Sequence, residues 1–132
     1  MEAKVSWQEE GLKFLGYVEG SPNVLMDSEN GPTPMELVLM ALGGCTGMDV
    51  ISILQKMRLD VKDFKINLTA EKSQEHPKVF TKIHLEYVVY GTNIDESSVK
   101  KAIELSQEKY CSVSGMLRKS SEITYSWKIV NV

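Results

Sequence analysis

The sequence predicts an α+β fold with the element order βββ-α-ββ-α-β. Three observations carry this: period-two alternation in short segments at both ends and in the middle, one long apolar helical run after Pro34, and a second helical pattern after Asp95. In the first segment Ala3, Val5 and Trp7 alternate with Lys4, Ser6 and Gln8, as in a strand with one face toward a core. Glu10-Gly11 marks a turn, 12–19 a second strand, Gly20-Ser21-Pro22-Asn23 another turn, and 24–27 a short third strand.

Ser28-Glu29-Asn30-Gly31-Pro32-Thr33-Pro34 reads as a loop feeding a helix. Thr33 suits the N-cap, Pro34 the first helical position, and Glu36 the capping-box position. The helix is predicted to run to about Arg58. Its first half is apolar on nearly every face, which predicts burial all round. Gly43, Gly44 and Gly47 are poor helix formers, each costing about 1 kcal/mol relative to Ala, and their presence predicts close packing of another backbone. One sheet covers one side of such a helix, so a second copy of the chain is expected to cover the other, giving a homodimer.

Two long strands come next. Phe64, Ile66, Leu68 and Ala70 alternate with polar residues, and so do Ile83, Leu85, Tyr87 and Val89. Gln74-Glu75-His76-Pro77 lies in the loop between them, which makes His76 a loop residue; His84 is read as solvent-facing on its strand. Asp95 is the expected N-cap of the second helix, whose apolar face is Val99, Ala102, Ile103 and Tyr110. Cys111-Ser112-Val113-Ser114-Gly115 breaks that helix, ahead of a short helical turn. The last strand alternates through Ile123, Tyr125, Trp127 and Ile129. No linker, repeat or low-complexity segment interrupts the order, so a single domain over 1–132 is expected.

The chain has 132 residues, 42% hydrophobic and 25% charged, which suits a globular domain. Its net charge of −3 and scattered Lys and Arg give no electrostatic footprint for nucleic acid. The start Met1-Glu2-Ala3-Lys4-Val5 lacks a signal-peptide core, and the most apolar stretch, 37–48, is shorter than the roughly 20 residues that span a bilayer. A soluble, cytoplasmic protein with no membrane partner is expected.

The two cysteines, Cys45 and Cys111, are too few for a disulfide-scaffolded secreted domain. The pattern alone leaves three readings: two buried structural thiols, a redox pair, or metal ligands. Two Cys and two His without ligand spacing make metal the weakest. A thiol at a helix N-terminus has its thiolate stabilised by the local partial charge, which bears on Cys111 beside the short turn. Asp49 shares a helix face with Cys45, one turn on; it reads as a proton acceptor or as the partner of Lys56 or Arg58. Met35, Met40, Met48 and Met116 read mostly as core.

Two motifs and the topology resemble the OsmC/Ohr family of thiol peroxidases. Gly31-Pro32-Thr33-Pro34-Met35-Glu36-Leu37-Val38-Leu39-Met40-Ala41-Leu42-Gly43-Gly44-Cys45 is similar to the family's helix start leading to its first cysteine. Lys109-Tyr110-Cys111-Ser112-Val113-Ser114 is similar to its Cys-Pro-Val-Ser segment, and the element order matches over essentially the whole chain. The resemblance, closest to a less characterised OsmC-like branch, implies an intertwined homodimer with buried central helices and sites at the subunit interface. It implies that Cys45 attacks an organic hydroperoxide, Cys111 resolves the product to a disulfide, and a dithiol reductant restores the enzyme without metal or organic cofactor. The family's activating Arg has no counterpart before Arg58, and Met35 stands where its Glu would, with Glu36 one step further round the helix. Glu36, Asp49 and Lys13 are therefore the candidates beside the cysteines. The alternative is a non-catalytic protein of the same fold that binds an apolar small molecule in the interface pocket.

Overall fold

The computed structural model describes residues 1–132, which divide into two compact units, Met1–Val38 and Leu39–Val132.

In the first unit, β1 (Lys4–Trp7), β2 (Phe14–Tyr17) and β3 (Val24–Met26) form an antiparallel sheet in that order, with Val5 opposite Gly16 and Leu15 opposite Leu25. The second strand is shorter than the predicted 12–19. Gly11 and Gly20 take positive φ in the turns, +51° and +83°, a conformation open to glycine. So small a sheet leaves Val5, Trp7, Phe14, Tyr17 and Val24 exposed. The helix α1 (Pro34–Lys56) starts where the capping signal placed it. Glu36 Oε1 accepts from the Thr33 amide at 2.9 Å and the Thr33 hydroxyl at 3.0 Å, and the Glu36 amide donates back to Thr33 Oγ1 at 3.3 Å. Such a cap is worth about 1 kcal/mol.

In the second unit, β4 (Asp60–Lys72) and β5 (Phe80–Thr92) form a long antiparallel hairpin, and β6 (Glu122–Asn131) pairs with β5 in parallel. A parallel neighbour requires a crossover. Here the crossover is α2 (Glu96–Leu105), a π-turn (Ser106–Tyr110) and α3 (Ser112–Leu117). Asp95 caps α2 as predicted, its carboxylate accepting from the Ser98 amide at 3.0 Å. The core is Leu42, Val50 and Leu54 of α1, Ile83, Leu85, Tyr87 and Val89 of β5, and Val99, Ala102 and Ile103 of α2, all essentially inaccessible. Every second residue of β5 enters it, as the alternation predicts.

Within the single chain α1 is covered on one flank only: its opposite face, including Val38, Met40, Gly44 and Met48, is open, the flank expected to meet a second copy. Several expectations are corrected. Met40, Met48 and Met116 are exposed rather than core, and Met35 is half-buried. Within the single chain no other backbone packs on the helical glycines. A Cβ at Gly43 would lie 2.8 Å from Leu68 Cδ1 and one at Gly47 3.1 Å from Ile66 Cδ1, so they make room for side chains of β4, while Gly44 faces open space. Tyr110 is 51% exposed, because the wider π-turn rotates it off the Val99–Ile103 face. Finally, the apolar run belongs to a 23-residue helix about 34 Å long. By length and composition that helix would suit a bilayer, so shortness does not exclude one. Its Thr46, fully buried and hydrogen-bonded to β5, marks one flank as packed against protein.

Candidate functional site

The two cysteines come together within the second unit. Cys45 is half-buried at mid-α1, and Cys111, 5% exposed, sits between the π-turn and α3 with extended backbone (φ −74°, ψ 103°). The Cys111 amide donates to the Ser106 carbonyl at 2.7 Å, which closes the π-turn. Its sulfur caps α3, accepting from the Ser114 amide at 3.4 Å. Neither thiol is in a disulfide.

The Cys111 thiol is pushed up to about 11. Burial is the main cause; hydrogen bonding and charge from Cys45, and the Asp49 carboxylate, push the same way. Only the Ser114 amide opposes them. This corrects the expectation from the helix N-terminus: α3 is only six residues long, one of its amides (Ser114) donates to the sulfur, and desolvation outweighs it. Cys111 is a protonated thiol at neutral pH, and the Cys45 thiol is its direct neighbour.

Beside the thiols lies a buried polar network that periodicity does not reveal. Thr46 Oγ1 lies 2.8 Å from the Tyr87 hydroxyl and 2.7 Å from Ser106 Oγ. Gln107 Nε2 donates to Tyr87 at 2.9 Å and to Thr46 at 3.2 Å. Ser106 Oγ donates to Asp49 Oδ2 at 2.9 Å, and Ser114 Oγ donates to Gln107 Oε1 at 2.7 Å. Beyond α3, the Arg118 guanidinium donates to Ser114 Oγ at 3.1 Å, to the Ser114 carbonyl at 3.3 Å and to the Gln107 carbonyl.

The two ends fix the direction of every bond between them. Arg118 only donates, so the Ser114 proton turns to Gln107 Oε1, and the Gln107 amide nitrogen faces Thr46 and Tyr87. The Asp49 carboxylate only accepts, so Ser106 spends its proton there and must accept from Thr46. Thr46 then accepts from Tyr87 and Gln107. No buried side-chain nitrogen or oxygen is left without a partner. Tyr87, held between the rings of Phe64 and Tyr125, is pushed up to about 12 by burial, against its hydrogen bonds with Thr46 and Gln107, which pull it down.

The sequence candidates divide. Cys45, Cys111 and Asp49 meet; Asp49 takes Ser106 as its partner, not Lys56 or Arg58. Glu36 closes the capping box, and Lys13 pairs with Glu10 at 3.1 Å. His84, only half-buried, is held by Thr124 at 2.7 Å and Ser126 at 3.0 Å on the sheet, away from any cluster. No three His, Cys, Asp or Glu side chains are placed to hold a metal ion. Thr46, Tyr87, Ser106, Gln107, Ser114 and Arg118 were not singled out from sequence. A signal existed for two of them: Thr46 stands between Leu42 and Val50 on the buried face of an apolar helix, and Gln107 comes one turn after Ile103.

Three comparisons bear on this arrangement. The model of the OsmC-like protein family matches residues 27–126. Protein YhfA of Escherichia coli K12 is 48% identical over 133 aligned positions, 98% of each chain. A hypothetical protein from Aquifex aeolicus VF5 has a crystal structure similar at 35% identity, TM-score 0.91, over 99% of this chain and 96% of that one. The organic hydroperoxide resistance protein OhrB of Bacillus subtilis, 16% identical, shares the fold at TM-score 0.66, over 97% of this chain and 98% of its own.

Proposed function

The chain belongs to the OsmC-like protein family, and on that premise we propose that it is a thiol-dependent peroxidase that reduces organic hydroperoxides. The observation that carries the reading is the meeting of Cys45 and Cys111, far apart in sequence, as neighbouring thiols. In this reading Cys45 attacks the peroxide: a sulfur–oxygen bond forms, the oxygen–oxygen bond breaks, and the departing alkoxide takes the thiol proton to leave as an alcohol. Cys45 becomes a sulfenic acid. Cys111 attacks it, water leaves, and an external dithiol reduces the resulting disulfide. No metal or organic cofactor enters. Glu36 serves the helix cap, and Asp49 is the carboxylate of the site.

Residues 1–132 act as one OsmC-like domain in this reading, in a soluble cytoplasmic homodimer that meets peroxide stress. Support for the dimer comes from the open apolar groove between α1 and β4, lined by Met40, Gly44, Met48, Ile51, Phe64 and Ile66. The test is consumption of cumene hydroperoxide by the purified protein with a dithiol present. Wild type should consume it and Cys45→Ser should lose at least about 90% of the rate; equal rates refute the mechanism.

The second reading, binding of an apolar small molecule, draws on a pocket of the first unit walled by Val5, Leu12, Phe14, Met26 and Pro34. It predicts co-purified lipid and no peroxide consumption.

A further inference from the structure

Closure of the disulfide requires the Cys111 thiol to give up its proton inside a buried site. The charged or titratable groups around it are few. α1 brings Cys45 and Asp49, β5 brings Tyr87, Arg118 lies just beyond α3, and the π-turn brings Glu108, Lys109 and Tyr110, all three exposed to solvent. Cys45 is the reaction partner. Tyr87 already donates to Thr46 and is itself pushed up to about 12. Arg118 is a permanent donor. Apart from the exposed Glu108, Asp49 brings the one carboxylate among them.

Its placement fits that role. Asp49 lies one helical turn beyond Cys45 on the same face, where side chains are neighbours. Ser106 ties it to the other thiol: the Ser106 hydroxyl holds Asp49 Oδ2 at 2.9 Å, and the Ser106 carbonyl holds the Cys111 amide at 2.7 Å. The Asp49 charge is felt at the Cys111 sulfur. Oδ1 accepts no hydrogen bond from the chain, and the directed network behind Ser106 keeps Oδ2 engaged.

We propose that Asp49 is the proton carrier of disulfide closure. Oδ1 takes the proton of the Cys111 thiol as that sulfur attacks the Cys45 sulfenic acid. The sulfur–sulfur bond forms, the Cys45 sulfur–oxygen bond breaks, and Asp49 passes the proton to the departing hydroxide, which leaves as water. The Cys111 sulfur is oxidised and the sulfenic sulfur reduced, so no further co-reactant is needed. Ser106 is a positioning residue. The inference rests on the peroxidase reading for the source of the sulfenic acid.

The test tracks closure in a single turnover, by acid quench and mass analysis after one equivalent of cumene hydroperoxide, for wild type and Asp49→Asn. The Asn variant keeps an acceptor for Ser106 and loses the base. Wild-type closure should be nearly flat in pH between about 6 and 9. Closure in Asp49→Asn should be at least about tenfold slower at pH 7 and rise about tenfold per pH unit, in step with the thiolate fraction of Cys111. Equal rates with equal pH profiles overturn the proposal. Should Asp49→Asn not fold, Ser106→Ala keeps the carboxylate but frees Oδ2; it should slow closure severalfold and leave the profile flat, and wild-type speed overturns the proposal. The same comparison on the Cys45 mixed disulfide with thionitrobenzoate needs no peroxide. A wild type inert to hydroperoxide therefore defeats the peroxidase reading, while release of thionitrobenzoate by Cys111 still decides whether Asp49 takes the proton.

Discussion

Raising the pH should unfold this protein through Cys111 before any tyrosine contributes. The folded-state thiol titrates near 11, against 9.0 for the ordinary thiol. Below pH 9 both folded and unfolded states hold the proton, and the group leaves stability unchanged. Between 9 and 11 the unfolded chain has released it and the folded chain has not. Folded protein then binds more protons, and stability falls as pH rises, by about 1.4 kcal/mol per unit. Over the full interval the loss is about 3 kcal/mol, a large share of the roughly 5–15 kcal/mol of a typical domain. Tyr87 has the same sign, but its loss begins near 10 and is complete only near 12. The assay is urea unfolding monitored by circular dichroism, with reductant, at intervals from pH 8 to 11, for wild type and Cys111→Ser. Wild type should lose stability from pH 9 onward, and the variant should hold flat until about 10. Parallel curves for the two proteins would refute the reasoning.

Two further outcomes are expected from the packing. Thr46→Val preserves shape but leaves the Tyr87 hydroxyl without its acceptor and Ser106 without its donor; it should cost about 2–4 kcal/mol, read as a lower urea midpoint at unchanged slope, and a cost below about 0.5 kcal/mol contradicts the bond directions of the network. Met48 is 74% exposed, so Met48→Asp should change the stability of a lone chain by no more than about 0.5 kcal/mol, yet should halve the sedimenting mass if a second copy covers α1; an unchanged dimer mass removes that face from the interface.

What could be read in the sequence was whatever repeats along it. The long hairpin β4–β5, the start of α1 at its capping box and the Asp95 cap all arise from periodicity or local hydrogen bonding, and all appear where expected. What stayed hidden depends on pairs remote in the chain. Thr46 meets Tyr87 and Ser106 only after α1 docks against β5 and the crossover. Arg118 looks like a surface cation until the fold brings it to Ser114 and Gln107. The parallel placement of β6 leaves no mark in its own alternation. The exposed methionines defeat hydrophobicity as a guide, since an apolar residue facing a partner and one facing the core look alike in sequence. Of the candidate site, the two thiols and Asp49 were legible; the groups that orient them were not.

The π-turn Ser106–Tyr110 bears on which genetic changes the site can absorb. Between the end of α2 and the Cys111 sulfur there is no slack loop, only helical chain on one side and the capped start of α3 on the other. Deleting one residue there would tighten the turn toward an ordinary α-helix and swing the chain beyond it by about 100°. Cys111 would then point away from Cys45, with its own side chain intact. Substitutions at the exposed positions Glu108 and Lys109 should be absorbed easily, whereas loss or gain of a single codon there should separate the thiols. Chain length across this segment, more than the identity of most of its residues, is what keeps the two sulfurs within reach of each other.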